Sequence, residues 1–206
     1  ITRLISEVTE DGFVFRTDLD LRPEGKSGEM ASSIDSAEIY YESWGQSWER
    51  AAMIKARPVA GDKKTGAAFL EMIRPFVFRR YMDFTAIEEI KAMKEKIDIG
   101  LLRRSTDAVD VKLGKGGIRE IEFFCQALQL IHGGKDAGVR DKNTLRTIEK
   151  LREKGLLKSA EAATFRDGYI FLRRLEHRIQ IVEGAQSQAV PKHAAELGRL
   201  ARMMGF

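Results

Sequence analysis

The chain has 206 residues, 43% of them hydrophobic and 32% charged, with a formal net charge of +4 and a single cysteine. Acids and bases are interspersed, which leaves no polybasic tract and only a mild preference for anionic partners, so the charge argues against nucleic acid as the partner class. One cysteine excludes an internal disulfide, and no stretch approaches the roughly 20 apolar residues of a membrane span, so the expected setting is a reducing one, the cytoplasm.

Ile1, Leu4, Ile5 and Val8 have helical spacing from the first residue, and with no initiator methionine the chain is expected to be a fragment of something longer. Phe13 to Gly25 follows, in which Phe13, Phe15, Leu19 and Leu21 alternate with Arg16, Asp18, Asp20 and Arg22. That period predicts an extended strand with one apolar face and one face of two carboxylates flanked by two guanidiniums. Pro23 to Gly28 reads as a turn. Ser32, Ser33 or Asp35 is placed to cap a helix running to about Trp44 and ended by Gly45. A short helix is expected over about Trp48–Ala56, with Ala52 and Met53 inward and Glu49, Arg50, Lys55 and Arg57 outward.

Pro58, Gly61, Asp62 and Gly66 mark a loop and the expected domain boundary, dividing the chain into 1–62 and 63–206. Beyond it the spacing is helical nearly throughout. Ala67–Tyr81 is one predicted helix, kinked at Pro75. Thr85 is placed to cap the next, with Ile87, Ile90, Met93, Ile97 and Leu101 as its buried stripe. Asp107 to Gly117 interrupts the pattern with an extended DVKL and a glycine turn. Ile118, Ile121, Cys125, Leu128 and Ile131 line a long helix that stops at Gly133-Gly134, and Cys125 reads as a core residue. Asn143 caps a helix to about Leu157, and Ser159 opens another reaching Glu183 with Phe165, Tyr169, Leu172, Leu175 and Ile179 inward. Pro191 opens a last helix to the chain end. The expected fold is mainly α with a small α+β part.

Two constellations carry candidate chemistry. Two acids at i and i+2 on one strand face repel unless a divalent cation, a phosphate or the two arginines compensate them. Mg²⁺ takes one or two carboxylates plus phosphate oxygens, and arginine binds phosphate in bidentate fashion. The same pattern also describes an exposed strand with neutralising neighbours. The second is Lys112-Leu-Gly-Lys-Gly-Gly-Ile-Arg-Glu-Ile-Glu-Phe123, a glycine turn leading into a helix start. Unpaired N–H groups there, with Lys112 and Lys115, suit an anion, while an ordinary tight turn into a helix accounts for the same residues. The spacing is neither that of a P-loop nor of a dinucleotide fingerprint. His132, His177 and His193 are scattered, which argues against zinc, and no nucleophilic-serine motif is present. Trp44 and Trp48 read as packing residues.

Phe15-Arg-Thr-Asp-Leu-Asp-Leu-Arg-Pro, Gly25-Lys-Ser-Gly, Trp48-Glu-Arg with Lys55-Ala-Arg, and Arg74-Pro-Phe-Val-Phe-Arg-Arg-Tyr resemble, in order, the glutamine synthetase adenylyltransferase/adenylyl-removing family. Lys112 to Phe123 and Phe171-Leu-Arg-Arg-Leu-Glu extend the resemblance across nearly the whole chain. It implies part of a polymerase-β-like nucleotidyltransferase domain followed by an α-helical bundle. The Ile-Arg-Glu-Ile-Glu-Phe form is similar to the N-terminal, adenylyl-removing half, which implies phosphorolysis of an adenylylated tyrosine of glutamine synthetase with Mg²⁺, phosphate entering and ADP leaving.

By the same resemblance Asp18 matches the third carboxylate of the metal set, with Asp20 a lesser candidate ligand, and the upstream Asp-x-Asp pair is absent, so an inactive piece is expected. Arg16, Arg22, Lys112, Lys115, Gly116, Gly117, Arg119, Glu120 and Glu122 are the implied phosphate or nucleotide contacts. The competing expectations are an adenylyl-transferring half that uses ATP, and a non-catalytic module that docks glutamine synthetase or the PII signalling protein.

Overall fold

The computed structural model describes residues 2–10, 12, 14, 15, 17–80, 88, 92, 95, 109–183 and 187–206. Of the expected helix after Thr85, the cap and the stripe Ile87, Ile90, Met93, Ile97 and Leu101 lie outside the described residues, as do Phe13 and Arg16. Among the described residues the regular elements are α1 (Thr2–Ser6), α2 (Ile34–Ser43), α3 (Ser47–Met53), α4 (Lys63–Val77), α5 (Ile118–His132), α6 (Thr144–Glu153), α7 (Ser159–Glu183) and α8 (Ala194–Met204). Short 3₁₀ turns cover Gly25–Ser27 and Ala137–Val139.

Side chains that satisfy orphan N–H groups set where these helices begin. The Ser33 hydroxyl accepts from the Ser36 N–H at the start of α2, and the Asn143 carbonyl oxygen accepts from the Arg146 N–H at the start of α6. Helix α4 starts at Lys63 rather than at Ala67, because the Asp62 carboxylate accepts from both the N–H and the hydroxyl of Thr65. Pro75 sits in its last turn, and the helix stops at Val77.

The expected α+β part is not present among the described residues. No strand is found there, only isolated bridges pairing Thr9 with Gly12 and Asp110 with Ala189. Thr17 to Leu19 has no regular structure, and Asp20 to Glu24 turns. A strand exists only when its N–H and C=O groups pair with a neighbour, and here the Phe15 N–H makes a single bond to the Ile5 carbonyl while the Asp18–Gly28 stretch bonds to itself. Its apolar residues are left outside, with Phe15 69% and Leu21 58% exposed.

Three apolar clusters hold the helices. The first joins Ala37 and Tyr41 of α2, Ala51 and Ile54 at α3, Ile73 and Val77 of α4, and Leu130 of α5, drawing on residues from both sides of the 62/63 boundary. The second gathers Ile121, Cys125, Ile148, Leu151 and Ala162 from α5, α6 and α7. The third sets Val111 and Ile118 against Ile179 of α7 and Leu200 of α8. The long α7 thus spans two cores, with Tyr169 and Leu172 packed against both.

Two placements differ from expectation. Glu49 and Arg50 are buried, not outward: the Glu49 carboxylate accepts from the Gln46 N–H at 2.7 Å and from the Tyr40 hydroxyl, while the Arg50 guanidinium lies 5.1 Å from the Phe76 ring centroid. Trp44 and Trp48 are exposed rather than packed, since Trp44 ends α2 and the chain turns at Gly45 before Trp48 enters α3.

Candidate functional site

The Asp18 turn is built from local hydrogen bonds. Asp18 Oδ1 accepts from the Asp20 N–H at 2.9 Å, and Asp20 Oδ2 lies 3.6 Å from Lys26 Nζ. Arg22 spans the loop, donating to the carbonyls of Leu19 at 2.6 Å, Gly28 at 2.9 Å and Lys26 at 3.1 Å. Its guanidinium is therefore committed to backbone. Both carboxylates are exposed, Asp20 faces a lysine, and no group of three or more potential metal ligands occurs among the described residues. A Mg²⁺ ion on Asp18 and Asp20 would need further oxygens held in place around it.

The glycine turn is equally constrained. Asp110 Oδ1 accepts from the N–H groups of Lys112 and Leu113, and the Gly114 N–H returns to the Asp110 carbonyl. Gly116 adopts φ +73°, and a Cβ at Gly117 would sit 2.7–2.9 Å from the carbonyl oxygens of Gly114, Val111 and Lys112. Glycine is required at both positions, one for the sign of φ and one for close approach. The expectation of unpaired N–H groups fails here. Those of Ile118, Arg119 and Glu120 donate to the carbonyls of Val111, Lys112 and Gly117, and that of Gly116 donates to Glu120 Oε2 at 3.0 Å. Any anion at this helix start would meet side chains, of which Lys115 and Arg119 are exposed and Lys112 is half-buried.

Two carboxylates between α5 and α7 gather the remaining candidates. Glu122, 15% exposed, accepts from the Tyr169 hydroxyl at 3.0 Å and pairs with Lys55 Nζ at 3.3 Å, and the same ammonium reaches Thr144 Oγ1 at 3.3 Å. Burial raises the Tyr169 pKa, and the Cys125 thiol nearby is pushed up to about 12 by burial. Glu176, 3% exposed, takes Arg173 Nη1 on Oε2 at 2.7 Å and Lys112 Nζ near Oε1 at 3.9 Å. Tyr169, Arg173 and Glu176 follow one another at i, i+4 and i+7, so they share one face of α7.

The structure therefore joins Lys112 and Glu122 to residues that sequence reasoning did not select as site members: Lys55, Tyr169, Arg173 and Glu176. The signal for Arg173 and Glu176 was their place in Phe171-Leu-Arg-Arg-Leu-Glu. No hydrogen bond or ion pair joins the Asp18 turn to the Gly114–Gly117 turn among the described residues. A cavity of about 250 Å³ between α7 and α8, lined by Ile179, Val182, Pro191, Glu196, Arg199 and Leu200, contains none of the candidates.

Comparison with known proteins gives these features a context. Residues 91–206, more than half the chain, match the family described as GlnD PII-uridylyltransferase, and residues 1–72 match glutamate-ammonia ligase adenylyltransferase. The class these define is the nucleotidyltransferases. Proteins named bifunctional glutamine synthetase adenylyltransferase/adenylyl-removing enzyme are 48% identical in Hahella chejuensis and 47% in Pseudomonas syringae pv. tomato over 206 residues, and 46% in Rhizobium meliloti over 208, each aligned to 100% of this chain and 21% of the relative. The chain belongs to this family of glutamine synthetase adenylyltransferase/adenylyl-removing enzymes. It spans about a fifth of the length of the curated relatives it matches. No helix among the described residues is long and apolar enough to cross a membrane.

Proposed function

We propose that this chain is the segment of a bifunctional enzyme that lies in its adenylyl-removing half and acts in the cytoplasm on adenylylated glutamine synthetase. In the reaction an orthophosphate oxygen attacks the phosphorus of the tyrosyl-AMP ester. The bond from phosphorus to the tyrosine oxygen breaks, that oxygen takes up a proton, and ADP departs. Asp18 would give one carboxylate to a Mg²⁺ site whose other acids come from the rest of the enzyme, and the helical bundle would carry phosphate-binding cations. PII signalling protein is a proposed regulatory partner.

The observation that carries this reading is the near-half identity along the whole chain to relatives bearing that name. The choice of half rests on the form Ile118-Arg-Glu-Ile-Glu-Phe123, with Glu rather than Asp at position 120. Asp18→Asn in the full-length enzyme tests both points. Loss of phosphate-dependent ADP release, with ATP-dependent adenylylation retained, supports the proposal. Loss of adenylylation alone assigns the chain to the transferring half, and retention of both reactions makes Asp18 a surface acid.

A further inference from the structure

We propose that Glu176 is a buried anchor that aims Lys112 and Arg173 at a phosphate group, forming an anion site between the glycine turn and α7. This rests on the phosphate chemistry of the proposed function and adds to it two residues, Arg173 and Glu176.

Charge balance is the starting point. Glu176 is 3% exposed on its side chain, and a carboxylate so far from water needs a partner. Arg173 supplies one with a 2.7 Å charge-assisted bond, which already compensates the acid. Lys112 brings a second positive charge to the same carboxylate at 3.9 Å, too long for a hydrogen bond, so its three donors are not spent there. Two cations thus face one acid.

Both cations keep an open side. Their side chains are 36% and 38% exposed, so each is anchored at one edge and wet at the other. Lys112 leaves the buried Val111, and its carbonyl is bound by the Arg119 N–H, which fixes the backbone beneath it. Arg119 and Lys115, near Lys112 in sequence, are both exposed, and Glu120 is turned back onto the Gly116 N–H.

The same plan recurs toward the start of α7, where Glu122 takes the half-exposed Lys55 and the Tyr169 hydroxyl. A tetrahedral phosphate, with several acceptor oxygens, suits a guanidinium fork beside an ammonium. Since the nearby helix N–H groups are already engaged, side chains alone would hold it.

Calorimetric titration of the protein with inorganic phosphate and, separately, with ADP tests the site. Arg173→Gln and Lys112→Gln should each weaken binding by about tenfold, the value of one charge-assisted bond, while Arg146→Gln, which disturbs an ion pair with Asp141 elsewhere, should not. Binding of phosphate alone marks a site for the free anion, and binding of ADP alone marks one for a nucleotide-borne phosphate. Either supports the proposal.

Glu176→Gln raises the net charge by one, so bulk attraction would tighten binding, whereas loss of aim weakens it. Should that variant not fold, Arg173→Lys keeps the charge without the fork and should also weaken binding. No binding by the unaltered protein, equal binding by the Arg173 and Lys112 variants, or tighter binding by Glu176→Gln overturns the site. If deadenylylation still depends on Asp18 in that event, the function stands and only this site falls.

Discussion

The Tyr169 hydroxyl donates to Glu122 Oε1 at 3.0 Å, joining α7 to α5 across 47 positions of sequence, and Lys55 reaches the same oxygen at 3.3 Å from the end of α3. One carboxylate oxygen therefore ties together segments from both sides of the 62/63 loop. Tyr169→Phe removes one of two partners from a mostly buried acid and should lower stability by about 1–2 kcal/mol in urea unfolding. A double-mutant cycle with Lys55→Met should show coupling, because the two donors share one acceptor. Strict additivity would mean that each acts alone.

Arg22 closes the 19–28 loop with bonds to three carbonyls, and nothing in the three apolar clusters depends on it. Arg22→Ala should speed amide hydrogen exchange over residues 20–28 while leaving the global urea midpoint within about 0.5 kcal/mol of the parent. A large global loss would show that the loop braces the bundle.

Cys125 is buried against Ile121, Ile148 and Leu151, and burial pushes its thiol from 9.0 up to about 12. Below pH 9 the thiol is protonated in both folded and unfolded chains, and its contribution is fully present. As pH rises from 9 toward 12 the unfolded chain releases the proton first, so stability falls. Urea midpoints measured at pH 7.5 and 10.5 should drop less in Cys125→Ala than in the parent. The native thiol should also react very slowly with a disulfide reagent at pH 8, since little thiolate is present.

Leu151 is fully buried in the cluster that joins α5, α6 and α7, and Asn143 caps the helix that carries it. Leu151→Ala should destabilise by about 2–5 kcal/mol and Asn143→Ala by about 1 kcal/mol. The ratio of the two, read from urea midpoints at unchanged slope, checks that packing outweighs capping here.

Local signals read well in this chain. Asn143 announced its helix, and the start of α2 was narrowed to Ser32, Ser33 or Asp35, of which Ser33 is the cap, because a cap is a bond between neighbours; the Ser159–Glu183 helix was visible from its first residue and its apolar spacing. The order of motifs was enough to indicate the family. The strand expected around Asp18 is not found among the described residues, since alternation shows which faces a strand would have but not whether a neighbour is there to pair with it.

Spacing also placed Glu49 and Arg50 outside, because charge suggests solvent; the structure buries them where Tyr40, the Gln46 N–H and the Phe76 ring meet them. Composition, caps and period belong to the sequence because they act over a few residues. The meeting of Lys112 with Glu176, or of Lys55 with Glu122, was decided by tertiary structure alone, for a buried carboxylate chooses its partners only after helices distant in the chain have packed.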